Sequence, residues 1–183
     1  EHGRYEKAVA VFIKALEYGM AVDVCKKHEV PITTELGEMM TPPKGEGEEG
    51  ELRKQILLKI AHVAYKQGNY ALATKKFTQA GDTLQAMKTL IKSGDTDKVI
   101  KFTSVCRQKE IYVMCANYLQ NVGSHSDPEI AKHIVSFYKK AKAYESLSTF
   151  YESLSNMEIE EYRNYEKALK NLLESKKYME SAR

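Results

Sequence analysis

Tyr70, Ala73, Phe77 and Ala80 succeed one another at spacings of three, four and three residues, which places them in one stripe along a helix. Just before them stands Gly68-Asn69. Glycine reaches the left-handed backbone of a helix end without steric cost, so the pair suits a tight turn between helices. Ahead of the turn, Ile60, Ala61 and Tyr65 give a preceding helix its own apolar positions. Alanine at two stripe positions lets the first helix approach closely, and the aromatic rings fill the space beside it. A helix pair of this kind cannot bury its apolar face alone and has to stack on neighbouring pairs.

The segment Ile60–Ala80 follows the tetratricopeptide template in its small and large positions. The second-helix stripe recurs as Gly3, Tyr5, Ala8, Phe12 and Ala15, as Tyr144, Leu147, Tyr151 and Leu154, and as Tyr165, Ala168 and Leu172. Ala86, Leu90 and Val99 indicate a shorter helix pair between them. The leading tyrosines at 5, 70, 144 and 165 are separated by 65 (70−5), 74 (144−70) and 21 (165−144) residues. The first two intervals approach twice the roughly 34-residue repeat, and the third does not. The expected fold is therefore all-α, a right-handed α-solenoid of degenerate tetratricopeptide-like helix pairs.

Local signals punctuate this array. Asp127-Pro128 starts a helix, with Asp as cap and Pro at the first helical position. Gly94-Asp95 ends one helix and caps the next. Gly123-Ser124-His125-Ser126 reads as a loop, and Thr33 or Thr34 as the cap of a short helix ending near Met40. Thr41-Pro42-Pro43-Lys44-Gly45-Glu46-Gly47-Glu48-Glu49-Gly50 reads as a linker, because Pro and Gly break regular structure and the glutamates gain nothing from burial. A mobile acidic loop is expected from about Met40 to Glu51, inside an otherwise single solenoid segment spanning 1–183. Residue 1 is Glu, the chain opens inside a repeat, and Lys176–Met179 is still helical in pattern, so a piece of a longer protein is expected.

Composition narrows the function classes. A hydrophobic fraction of 43% supports a core, and 29% charged residues keep the surface solvated. Twelve Tyr with no Trp fit the many half-buried positions of a solenoid. A formal charge of +3 with alternating Lys and Glu lacks the concentrated basic face of a nucleic-acid reader. No apolar run nears the roughly 18 residues of a membrane span. Three cysteines, Cys25, Cys106 and Cys115, fit no disulfide framework and point to a reducing compartment.

Each candidate for chemistry has a plainer explanation. Gly45, Gly47 and Gly50 spell a GxGxxG, but no strand precedes it and Glu46, Glu48 and Glu49 would repel phosphate. Cys25 and His28 have a Cys-x-x-His spacing without the further ligands that zinc needs. Cys106 or Cys115 with His133 would make a nucleophile pair, yet Cys115 lies in an apolar run where a thiol behaves as a small hydrophobe. The clusters Lys139, Lys140, Lys142 and Lys75-Lys76 are solvated helix ends before they are phosphate or lipid contacts. No catalytic, cofactor or metal residues are assigned. The surface expected to hold a partner is one side of the first helix of the best repeat: Leu58, His62, Tyr65 and Lys66, spaced i, i+4, i+7, i+8.

The run Gln67-Gly68-Asn69-Tyr70-Ala71-Leu72-Ala73-Thr74-Lys75-Lys76-Phe77-Thr78-Gln79-Ala80-Gly81 extends through Leu84–Thr96, Ser104–Tyr112, Ala116–Gln120 and Asp127–Ile130. With Val30-Pro31, Thr41-Pro42-Pro43 and Glu160–Tyr165, it resembles the C-terminal repeat region of the one-hundred-and-forty-kilodalton subunits of intraflagellar transport complex A. The resemblance covers nearly the whole chain and is densest in its middle third. It implies a helical solenoid that follows N-terminal β-propellers in the whole protein. It implies a non-catalytic scaffold of the ciliary train, at axoneme and basal body, that supports retrograde transport and the entry of membrane-protein cargo. The partners implied are other complex A subunits, then cargo adaptors, with peripheral proximity to membrane and no nucleic acid. Two rivals stand beside it: a coatomer-like vesicle-coat solenoid, and a phosphate- or lipid-binding helical module that uses the lysine clusters.

Overall fold

The computed structural model describes residues 2–122 and 127–182. Among them every regular element is an α-helix: α1 (His2–Lys14), α2 (Tyr18–Lys27), α3 (Thr34–Met39), α4 (Gly47–Lys66), α5 (Tyr70–Gln79), α6 (Thr83–Ser93), α7 (Thr96–Cys106), α8 (Lys109–Asn121), α9 (Pro128–Ala141), α10 (Tyr144–Glu160) and α11 (Tyr165–Ala182). The class is all-α solenoid. The chain divides into two compact units, Glu1–Asp95 and Thr96–Arg183. The Gly123–Ser126 loop expected from sequence lies outside the described residues.

In the first unit α1 packs on α2, α2 on α4, α4 on α5 and α5 on α6. The stripe from Tyr70 to Ala80 is its centre: Ala73, Phe77 and Ala80 are buried, with Ile60, Ala61 and Ala64 of α4 in the same core. Burying a ring such as Phe77 contributes about 1.5–3 kcal/mol. Tyr70 is half-buried and meets Tyr65 edge-on, ring centroids 5.6 Å apart. The turn behaves as the sequence implies. Gly68 has φ +79°, and Asn69 caps α5 by accepting from the Leu72 N–H at 3.2 Å. Asn69 does a second job, donating to the Ile32 carbonyl at 3.1 Å. In α1 the most buried residue is Val9, while Tyr5, Ala8 and Phe12 are half-buried and Ala15 falls beyond the helix end and is exposed.

Two local expectations resolve or change. Thr33, not Thr34, caps α3, accepting from the Leu36 N–H at 3.2 Å. The irregular stretch is shorter than expected: α4 begins at Gly47, so only residues 40–46 lie between α3 and α4, and Met40 among them is buried. Glu48 and Glu49 occupy the first turn of α4, where carboxylates complement the positive end of the helix dipole. The acidic residues that read as loop formers are helix starters.

In the second unit α7 packs on α8, α8 on α9, α9 on α10 and α10 on α11. Asp127 caps α9 through the Glu129 N–H at 2.9 Å, with Pro128 at its start. The long pair α10–α11 approaches closely through small polar residues. Ser148 Oγ lies 2.8 Å from Ser175 Oγ, and Ser155 donates to the Ala168 carbonyl at 3.0 Å. Here the expected stripes need correction. Leu147 is buried as predicted, but Tyr151 and Leu154 are half-buried, and Phe150 and Ser155 take the interior positions. On α11, Ala168 is buried, whereas Tyr165 is 65% and Leu172 44% exposed. The inward face of α11 is Ala168, Ser175 and Tyr178, a set dominated by small residues that a search for large apolar side chains passes over.

Candidate partner-binding surfaces

The four residues expected to hold a partner share one helix but not one surface. His62, Tyr65 and Lys66 are exposed and Leu58 is half-buried. His62 and Lys66 line a groove of about 760 Å³ whose opposite wall carries Asp23, Lys26 and Pro31. Lys59 reaches Asp23 at 3.2 Å beside it, an exposed pair contributing little stability but setting the local charge pattern. The His62 ring also stands edge-on to Phe77, centroids 5.1 Å apart, which ties the groove wall to the core. Tyr65 is turned the other way, toward Tyr70 on α5. So His62 and Lys66 come together, and Tyr65 and Leu58 stand apart from them.

A second groove, about 980 Å³, lies in the other unit between α9, α10 and α11. Its floor includes Leu154 and Met157, and Lys132, Lys139 and Lys167 stand around it. Glu158, 3% exposed, is paired there with Lys167. Sequence reasoning picked out Lys139 and its neighbours but not the groove, because the floor comes from another helix. The rim is charge-compensated: Lys132 pairs with Glu129 at 2.6 Å, and Lys167 with Glu158.

The lysines that suggested a lipid or phosphate surface are largely engaged. Lys139 Nζ lies 5.4 Å from the Tyr178 ring centre, and Lys140 lies 5.6 Å from Tyr112 and 5.7 Å from Phe137. Ammonium groups over aromatic faces are held by the ring quadrupole. Tyr178 in turn stacks on Tyr144 and Tyr151, at 6.1 and 5.8 Å. Lys142 ends α9 in the left-handed conformation, φ 57°, and is exposed. Lys75 pairs with Glu38 at 2.9 Å, and Lys76 is wholly buried.

The thiols are poorly suited to attack. Cys25 and Cys115 are fully buried, and burial pushes each thiol up to about 11. Cys106 is half-buried and its thiol is also raised by desolvation. His28 stacks on Tyr5 with centroids 3.7 Å apart, and His133 stacks on Phe137 at 5.8 Å. Among the described residues no group of three His, Cys, Asp or Glu side chains converges on a metal position, and no helix is long and apolar enough to cross a membrane.

Compared with known families, residues 1–137 match the TPR domain shared by the intraflagellar transport proteins 140 and 172, and residues 145–183 match the C-terminal TPR domain of intraflagellar transport protein 140. The first description names two kinds of protein and the second only one of them, so the second match narrows the likeness to protein 140.

Proposed function

Because the chain belongs to the family of TPR domains shared by intraflagellar transport proteins 140 and 172, and is like the C-terminal region of the former, we propose that it is a non-catalytic scaffold segment of the intraflagellar transport complex A train. Tetratricopeptide-type domains of this family are protein-interaction domains of ciliary transport, typically without catalytic activity. The finer reading is that both units serve one segment that holds neighbouring complex A subunits, supports retrograde transport, and takes part in admitting membrane-protein cargo at the axoneme and basal body. Other complex A subunits are the first partners in this reading, and cargo adaptors the second.

The observation that supports it is the surface of α4. His62 and Lys66 line an open groove while Tyr65, 38% exposed, presents an aromatic face beside the turn. A partner helix or extended segment laid along α2 and α4 meets His62 and Lys66 directly. The vesicle-coat alternative has no feature here that favours it over the matched family. The lipid alternative is weakened by Lys139 and Lys140, whose ammonium groups already lie over rings.

The test is retention of the other complex A subunits by this chain, with His62→Ala/Lys66→Ala in parallel. Retention of a subunit that the double variant releases, with helicity unchanged, supports the α4 surface. Retention unaffected by the variant moves the contact elsewhere, with the α9–α11 groove next in line. No retention of any of them refutes the scaffold reading for this segment.

A further inference from the structure

Three cations converge where α3 ends. Lys76 is fully buried, yet its Nζ donates to Thr41 Oγ1 at 2.7 Å and meets Glu38 Oε1 at 3.0 Å. Lys75 Nζ reaches the same oxygen at 2.9 Å. Arg53 enters from α4, its Nε donating to the Pro42 carbonyl at 3.0 Å, close enough that its charge acts on Lys76. Lys75 and Lys76 meet the single carboxylate of Glu38, Arg53 adds a third positive charge on the Pro42 side, and 3 − 1 leaves +2. The Thr41 hydroxyl sits at the centre, accepting from Lys76 and donating to the Gly37 carbonyl at 2.7 Å.

The sequence around that hydroxyl is Thr41-Pro42-Pro43-Lys44, which contains the only Ser/Thr-Pro dipeptide in the chain. Proline disfavours helical backbone at the residue before it, and residues 41–46 run without regular structure between α3 and α4. A hydroxyl residue followed by Pro, with a cation three positions on, is the chemistry that proline-directed kinases accept. Pro43 and Lys44 are exposed, and Thr41 and Pro42 half-buried. The segment is held chiefly by the three side-chain contacts just named and by the Thr41 N–H to the Glu38 carbonyl at 3.0 Å.

We propose that Thr41 is a phosphorylation site for a proline-directed protein kinase, and that Lys75, Lys76 and Arg53 receive the phosphate. Thr41 Oγ1 attacks the γ-phosphorus of a nucleoside triphosphate. The new P–O bond forms as the bond to the β-phosphate oxygen breaks, the hydroxyl proton passes to the kinase's base, and nucleoside diphosphate leaves. A phosphothreonine carries about −1.5 to −2 charge near pH 7, which balances the +2 of the cluster. The phosphoester has no proton for the Gly37 carbonyl, so the last turn of α3 loses that bond. Glu38 becomes a like-charged neighbour and turns toward solvent, where its side chain is already 42% exposed. Modification thus exchanges an ammonium–hydroxyl contact between the segment after α3 and α5 for an ion pair in which both partners are charged.

The 183-residue chain and a peptide of residues 36–48 are each treated with magnesium ATP and a Ser/Thr-Pro-directed kinase, and the phosphate is located by fragmentation mass spectrometry. Phosphorus NMR of both products then follows the second phosphate ionisation, ordinarily about 6. The expected result is modification of Thr41 in both and none in Thr41→Ala. The phosphate should ionise roughly one pH unit lower in the chain than in the peptide. Lys75→Ala/Arg53→Ala, which leaves buried Lys76 in place, should return the value toward that of the peptide. A peptide that is modified while the native chain is not, no modification of either, or equal ionisation in both, overturns the proposal.

Discussion

Gly37 and Leu72 pack with no room for a side chain between them: a Cβ at residue 37 would lie 2.9 Å from Leu72 Cδ2 and 3.0 Å from Cδ1. Gly37 is buried in α3 and Leu72 is buried in α5. Alanine would gain helix propensity at this position, about 1 kcal/mol, but overpacking commonly costs about 1–3 kcal/mol. Gly37→Ala is expected to lower stability by about 1 kcal/mol. Urea unfolding of Gly37→Ala, Leu72→Ala and the double variant checks it. The double variant should lose less than the two single losses combined, and strict additivity would show that the two side chains do not compete for space.

Gln67 stands in for a strand edge. Its Oε1 accepts from the Ile32 N–H and its Nε2 donates to the Val30 carbonyl, both at 2.8 Å. Gln67→Ala leaves two backbone groups without these partners and should cost about 1–2 kcal/mol. Amide hydrogen exchange at Ile32 should accelerate in step with that loss. Unchanged protection at Ile32 would mean that the segment is held by something else.

Thiol reactivity should sort by burial. With Cys25 and Cys115 pushed up to about 11, an alkylating reagent at about pH 8 meets almost no thiolate at either. Cys106, half-buried, should be labelled first, and the other two only as the chain unfolds. Mass spectrometry of partly labelled protein gives the order. Rapid native labelling of Cys115 would contradict the packing of α8.

Glu38 sets an acid-side dependence. Hydrogen bonds from Lys75 and then Lys76 hold its carboxyl below the usual range. A folded-state value below the unfolded one stabilises fully above the unfolded carboxyl's value, about 4.3. That contribution disappears as pH falls through the lower folded value. Lys76 is lowered from 10.5 chiefly by burial, which has the same sign: the folded chain gains on the unfolded one as pH rises toward 10.5. Urea midpoints measured from about pH 7 down to about pH 3 should fall less in Glu38→Gln than in the parent chain. Identical slopes would show that the pair contributes nothing.

The features legible in the sequence are those with local causes. The Ala73–Phe77–Ala80 stripe follows from helical spacing, and the Gly68-Asn69, Gly94 and Asp127-Pro128 boundaries from backbone preferences of single residues. Gly94 indeed closes α6 with φ 75°. What escaped needed a distant partner. Lys76 reads as half of a solvated Lys75-Lys76 pair, and only Glu38 and Thr41, 38 and 35 positions away, give its buried ammonium acceptors. Tyr165 and Leu172 read as core because they are large and apolar. The serines of α10 and α11 take the interior instead, since their hydroxyls bond across at short range. The α9–α11 groove has no sequence pattern of its own, because its rim and floor come from three helices.

For protein engineers the Gln67 and Asn69 contacts redefine what one portable repeat is. Counting from the turn, α4 and α5 look like a self-sufficient cassette. Yet Gln67 binds Val30 and Ile32, and Asn69 binds Ile32 while capping α5. A graft that carries only α4 and α5 into another array leaves the Gln67 amide and the Asn69 Nδ2 without these partners, though Asn69 still caps α5. The cassette that transplants intact starts at Val30, upstream of α3, so splice points in chimeric arrays belong before residue 30 and not at the start of α4.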